Sequence, residues 1–192
     1  MKTLAGIFAV LGLLATGYWT VGFLSPRVYQ AREIRRFVNG PRVEPFTIEP
    51  AKPSHPELGS PIAVLTIPRL GLSTVVLEGA EERELKLGPG HIRGTSLPGE
   101  GGNVGVAGHR DTVFRPLRLI RRGDRINIVT HERELQYQIV SAQIVEPEDV
   151  QVLYPTARET LTLVTCYPFD FVGPAPNRFI VRAEIMPLPN RE

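Results

Sequence analysis

The sequence predicts an all-β domain of about eight short strands, closed into a barrel or folded as a sandwich, behind an apolar amino-terminal segment. Three observations carry this prediction. Short alternations of apolar and polar residues recur from Ile62 onward, separated by turn residues. Glycine and proline number 18 each in 192 residues, a density that suits many turns rather than a helical bundle. Helical periodicity within that region is confined to two short pieces.

Residues 1–26 read as a transmembrane anchor. From Leu4 to Leu24 the chain runs LAGIFAVLGLLATGYWTVGFL without a charge. As a helix rising about 1.5 Å per residue, this run covers roughly 31 Å, enough for the hydrocarbon core of a bilayer. Tyr18 and Trp19 lie near its end, where amphipathic rings favour the interface, and Pro26 is expected to stop the helix. A cleaved signal peptide competes with the anchor, since Ala15-Thr16-Gly17 offers small residues, but its apolar region is normally shorter. Lys2 precedes the run, whereas Arg27, Arg32, Arg35 and Arg36 follow it. Counting positive charges places the bulk of the chain inside the cell.

Residues 27–60 read as a short juxtamembrane helix, RVYQAREIRRFV at 27–38, and a tether with prolines at 41, 45, 50, 53 and 56. The arginines of that helix are expected to be solvated against anionic head groups. The folded domain is assigned to 61–187, with a tail at 188–192. Within it, strands are expected at 62–67, 73–78, 103–108, 124–130, 134–139, 141–146, 160–165 and 178–185. Helical pieces are expected around 83–87 and at 113–120.

Composition excludes several classes of function. A hydrophobic content of 42% rules out a disordered chain, and a net charge of +2 with no basic block among aromatics argues against nucleic acid. Arg115, Arg118, Arg121, Arg122 and Arg125 are expected to coat a solvated face, their stems lying on apolar surface. No CxxC or HExxH occurs, so no zinc site is expected, and a single cysteine cannot form an intrachain disulfide.

That cysteine, Cys166, stands in LTLVTCYPF. An unpaired cysteine most often fills core space. Strand parity argues otherwise here. Leu161 and Leu163 share one face, leaving Thr160, Thr162, Val164 and Cys166 on the other. In NVGVAGHRDT, Val104 and Val106 point inward, which puts His109 outward with Asn103, Gly105 and Ala107. Gly105 and Gly108 permit close approach of another backbone. His55, His91 and His131 carry no comparable pattern. In the last strand Phe179, Val181, Ala183 and Ile185 form the apolar face and Arg178 lies at the outward start.

A thiol, an imidazole and a guanidinium thus stand at three strand ends. A thiol is mostly protonated at neutral pH, and a neighbouring cation favours its nucleophilic thiolate. An imidazole can protonate a leaving amine and later deprotonate an incoming one. A guanidinium can hold a substrate carbonyl or an oxyanion. The set is suited to acyl transfer.

The stretch TLTLVTCYPFDFVGPAPNRFIVRA, with Arg twelve positions after Cys, resembles the signature of sortases, membrane-anchored cysteine transpeptidases of the bacterial surface. GHIRGTSLPGEGGNVGVAGHRDTVFRPL resembles the histidine region of that family, and LVTCYPF with GPAPxRFIV is most similar to class D. The resemblance covers roughly residues 60–186. It implies a closed eight-stranded β-barrel with Cys166 as nucleophile, His109 as acid/base and Arg178 as oxyanion or substrate stabiliser. Thr165 and Ala107 are implied to line the neighbouring pocket, with Asp111 a candidate to orient His109. It further implies secreted substrates carrying a C-terminal LPxTG-like motif, and an amine acceptor from peptidoglycan or another surface protein. The catalytic domain is then extracytoplasmic on a single-pass anchor, which the flanking charges oppose. No cofactor is implied. Some sortases bind calcium, and Glu146, Glu148 and Asp149 lie in a suitable region, although without regular ligand spacing. The LPGEG at 97–101 lacks the Thr of a sorting signal and reads as a loop. Two other functions fit the same residues: a cysteine endopeptidase that hydrolyses the thioester, and a non-catalytic tethered barrel that binds extended peptides.

Overall fold

The structure is a computed structural model describing residues 2–39 and 56–187; within the first helix, side chains are described at 12–14, 16–17 and 24–37. Eight strands form a closed barrel: β1 (Pro61–Ile67), β2 (Leu72–Glu78), β3 (Gly90–His91), β4 (Asn103–Ala107), β5 (Arg125–Val129), β6 (Glu134–Val145), β7 (Thr160–Tyr167) and β8 (Asn177–Ile185). Their order around the barrel is β1-β2-β3-β4-β7-β8-β6-β5. Two neighbouring pairs are parallel, β2 with β3 and β4 with β7; the other pairs are antiparallel.

Strand count and strand identity part company. The segments expected at 134–139 and 141–146 are one strand, β6, with a register shift between Ile139 and Ser141. A bulge inserts a residue without ending the ladder, so a break in alternation looks like a strand end in the sequence. The eighth strand is instead β3, whose two residues are too short to carry a period.

The barrel interior follows the alternation. Leu65, Ile67, Val104, Val106, Ile126, Ile128, Ile139, Leu161, Leu163, Val181 and Ala183 are buried together. Each fully buried aliphatic side chain contributes roughly 1.5–3 kcal/mol of transfer free energy. Phe114 closes one end from the connection after β4, beside a short 3-10 segment at Arg115–Leu119 that replaces the helix expected at 113–120. Tyr137 is also fully buried, and its hydroxyl donates to Glu159 at 2.5 Å. The arginines at 115, 118, 121, 122 and 125 are exposed, as their solvated reading requires.

Helix α1 (Lys2–Asn39) continues through Pro26 instead of stopping there. Proline removes one amide donor from the helix, and the expected stop does not occur in a helix this long. Among the described residues no helix is long and apolar enough to cross a membrane. Most side chains of the run Leu4–Leu24, on which the anchor was expected, lie outside the described residues, as does the tether at 40–55.

The last turns of α1 pack on the barrel's outer face. Tyr29, Ile34 and Phe37 cover Val64, Val75 and Leu77, and the Phe37 ring stacks on His131 at 4.0 Å between centroids. β3 pairs with β2 only at Leu77 and Glu78. The amide of Val75 therefore donates to Gln30 Oε1 at 2.6 Å, while Gln30 Nε2 donates to Leu87 O at 2.9 Å and Val75 O at 3.4 Å. One glutamine side chain replaces the missing neighbour strand.

Candidate active site

β7 and β8 set the first part of the site. Their antiparallel ladder makes Cys166 and Arg178 direct partners near the end of the hairpin. Cys166 is half-buried and its thiol is free. The Arg178 guanidinium lies along its own backbone, with Nη1 donating to Asn177 O at 3.1 Å and Ala175 O at 3.3 Å.

β4 brings in His109. The parallel β4–β7 ladder ends at Ala107 paired with Val164. Gly108 prolongs it: its amide donates to Val164 O at 3.0 Å, and Thr165 Oγ1 donates to Gly108 O at 2.7 Å. The next residue is His109, reaching the level of Cys166. His109 is half-buried, and its carbonyl accepts from the amide of Phe114. Glycine at 108 is required by packing, since a Cβ there would stand 2.6 Å from the Phe114 ring. At Gly105 a Cβ would meet the Leu153 and Thr95 side chains. In both cases the close neighbour is a side chain, not the backbone expected.

The weaker candidates separate. Ala107 is half-buried on the outer face beside Val164, leading toward Cys166. Thr165 is buried on the inner side and spends its hydroxyl on Gly108, so it fastens two strands rather than lining a pocket. Asp111 is exposed and, among the described residues, makes no hydrogen bond to His109. Glu146 and Glu148 are exposed and Asp149 is half-buried; among the described residues no three acidic, His or Cys side chains are grouped to hold a metal ion.

A wall borders the outer face of β4 and β7. It is the β6–β7 connection, whose 3-10 turn Val150–Leu153 is pinned by Asn103 Nδ2 to Val152 O at 3.0 Å and Tyr154 O at 3.1 Å. Arg182 adds a bond to Val152 O, and Thr162 Oγ1 donates to Asn103 Oδ1 at 2.7 Å. At the same end as Cys166, Tyr167, Phe169 and Phe179 pack ring against ring at 5.3–6.2 Å between centroids. A cavity of 290 Å³ between Ile62, Leu97, Pro98, Thr130 and Arg133 lies at the other end of the barrel and is remote from these groups.

The barrel order, the parallel entry of β4 and the Cys–Arg register agree with a sortase domain, whose family model matches residues 65–186. The chain belongs to the sortase family. It is 36% identical to Sortase D of Bacillus subtilis over 127 residues, 66% of this chain and 64% of that protein. The match thus spans under two thirds of that relative. A Sortase D5 transpeptidase of Clostridium perfringens superposes with a TM-score of 0.63 at 34% identity, covering 68% of this chain and 82% of that one. Sortase A of Corynebacterium diphtheriae, in a lid mutant, gives a TM-score of 0.64 at 28% identity, covering 73% and 77%.

Three features of this sortase end were not found by sequence reasoning. Arg110, next to His109, reaches the β7–β8 loop. The aromatic cluster is spelled by YPF and RF, residues adjoining Cys166 and Arg178 in the sequence. The third is His91, buried with Glu78 rather than unremarkable: Nδ1 lies 2.8 Å from Glu78 Oε2. His91 pairs with Val106 and so supports the strand that delivers His109.

Proposed function

We propose that this chain is a membrane-anchored cysteine transpeptidase acting on extracytoplasmic proteins that carry an LPxTG-like sorting signal. The thiolate of Cys166 attacks the carbonyl carbon of the signal's Thr–Gly bond. Arg178 stabilises the oxyanion, and His109 protonates the departing amine as the C–N bond breaks, leaving a thioacyl-enzyme. An amine from peptidoglycan or another surface protein then gives its proton to His109, attacks the thioester and releases the thiol. The observation that carries this reading is the register of β7 and β8, which makes the thiol-bearing and guanidinium-bearing residues direct partners.

Family membership supports the reaction class, and the similarity to a Sortase D and a Sortase D5 transpeptidase supports class D. Half-buried Ala107 and Val164, beside the wall at Val150–Leu153, fit an extended peptide approaching Cys166 along the barrel's outer face. The uncharged run Leu4–Leu24 supports the anchor.

The test is mass spectrometry of the full chain incubated with an LPxTG-type peptide and a small amine. A thioacyl adduct on Cys166 and a new amide are expected, and both are expected to disappear in Cys166→Ala. Only the free acid would make the enzyme a hydrolase. No adduct, with Cys166 alkylated only after unfolding, would refute the reading.

A further inference from the structure

We propose that Arg110 is a positioning residue whose guanidinium clasps the β7–β8 loop and thereby holds His109 and Arg178 in place about Cys166. The proposal rests on the transpeptidase reading for its catalytic consequence, but its structural part does not.

The three groups are not held equally. Cys166 and Arg178 are locked by a continuous antiparallel ladder. His109 lies past the last paired residue of β4, and the bonds that tie its segment to β7 stop at Gly108. Arg110 supplies the next tie. Its Nη2 donates to Phe171 O at 2.7 Å and Gly173 O at 2.9 Å, and its guanidinium carbon lies 5.9 Å from the Phe171 ring centroid. Gly173, at φ +100°, adopts a conformation that disfavours any side chain.

The far end of the same loop is held by Arg178 through Ala175 O, its second acceptor, Asn177 O, belonging to the first residue of β8. The loop backbone is therefore bracketed by two guanidinium groups, one adjoining the candidate acid/base and one being the candidate oxyanion stabiliser. If the Arg110 bonds are lost, the loop is released from the His109 side. Arg178 then loses the fixed position of Ala175 O, keeping Asn177 O within the ladder, and His109 loses the side-chain hydrogen bonds that, among the described residues, link its segment to the β7–β8 unit beyond Gly108. Arginine suits this role better than lysine, because a planar fork over an aromatic ring is oriented where an ammonium is a point charge.

The experiment compares the wild-type full chain with Arg110→Ala, Arg110→Lys and, as a control on an exposed arginine, Arg115→Ala. Amide hydrogen exchange over residues 168–176 is expected to rise about 10-fold in R110A and to be partly restored in R110K, given the strength of hydrogen bonds from a charged donor. The rate of Cys166 alkylation against pH is expected to follow a displaced profile in R110A, and acylation by an LPxTG-type peptide to fall about 10-fold, mostly in kcat. R115A is expected to match wild type throughout. Unchanged loop exchange in R110A overturns the proposal, as does faster exchange accompanied by wild-type alkylation and acylation. If wild type forms no adduct, the transpeptidase reading fails by itself, and exchange with the alkylation profile still decides the role of Arg110. Should R110A not fold, Arg110→Gln, which keeps the stem and removes the charge, takes its place in every readout.

Discussion

His91 is enclosed by groups whose hydrogen-bonding roles dictate its tautomer. Thr95 Oγ1 donates to Ile92 O at 2.6 Å and accepts from the Gly105 amide at 3.0 Å, so toward His91 Nε2 it can only accept. The carbonyl of Ser96, 3.1 Å away, can only accept as well. Nε2 therefore carries a hydrogen, and Nδ1 faces Glu78 Oε2 at 2.8 Å. Removing the imidazole takes the hydrogen-bond partner from buried Glu78 and leaves it only the Arg93 guanidinium, 3.8 Å away. His91→Ala is expected to cost about 3 kcal/mol in urea denaturation, with Glu78→Gln in the same background recovering part of it. Alternation points to His109, Cys166 and Arg178 because each stands at or just beyond the end of a strand long enough to alternate. It passes over His91 because β3 has no period to read. A second residue-scale outcome concerns Tyr137. Burial first, and then the Glu159 bond and charge, hold its phenol well above the ordinary tyrosine value. The folded state keeps a proton that the unfolded state releases, so the stability supplied by this bond is complete below about pH 10 and is lost as pH rises further. Alkaline unfolding of Tyr137→Phe is expected to depend less steeply on pH than that of wild type.

At the scale of elements, two connections decide whether the site assembles. The first is Gly108, between the β4 ladder and His109. Gly108→Ala would drive a methyl group into the Phe114 ring, which is fully buried and has little room to retreat. Overpacking of this kind costs about 1–3 kcal/mol, and here the segment that yields carries His109. Acylation is expected to drop more than the loss of stability explains, read by comparing adduct formation with thermal melting. The second connection links the 3-10 turn Pro68–Leu70 to the segment preceding β5. Arg69 Nε donates to Asp124 Oδ1 at 2.5 Å, Nη2 donates to Asp124 Oδ2 and Leu119 O at 2.6 Å, and the Arg121 amide donates to Asp124 Oδ2 at 2.8 Å. The hydrogen bond from Arg69 leads the causes that hold the Asp124 carboxyl below the usual carboxylate range. A depressed value means stability that is present above the unfolded pKa, about 3.9, and is lost as pH falls below it. Asp124→Asn is expected to cost about 1–2 kcal/mol at neutral pH, the gap from wild type closing in acid. Such stitches join residues 55 apart and leave no periodic trace, which is why strands were legible in the chain and these ties were not.

At the scale of the molecule, the alternation of Leu161 with Leu163, Val104 with Val106 and Val181 with Ala183 was enough to indicate what faces inward. Closure, the parallel placement of β4 beside β7, and the docking of α1 depend on pairings between distant segments. Neither composition nor spacing encodes them locally; the family resemblance supplied the barrel, and the helix expected at 27–38 carried no sign that it docks on it. Gln30→Ala is expected to speed hydrogen exchange at Val75 by about 10-fold while leaving the Cys166 end unaffected, because the two lie on different strands and share no bond. The arrangement also bears on self-recognition. A barrel made from residue 56 onward would lack α1, and would offer solvent both the open backbone of β2 at Val75 and the apolar face over Val64, Val75 and Leu77 that Tyr29, Ile34 and Phe37 otherwise cover. An open strand edge beside an uncovered apolar patch is a template for another copy of itself. Sedimentation of that fragment is expected to show association rising with concentration, and a peptide corresponding to 27–38 is expected to suppress it.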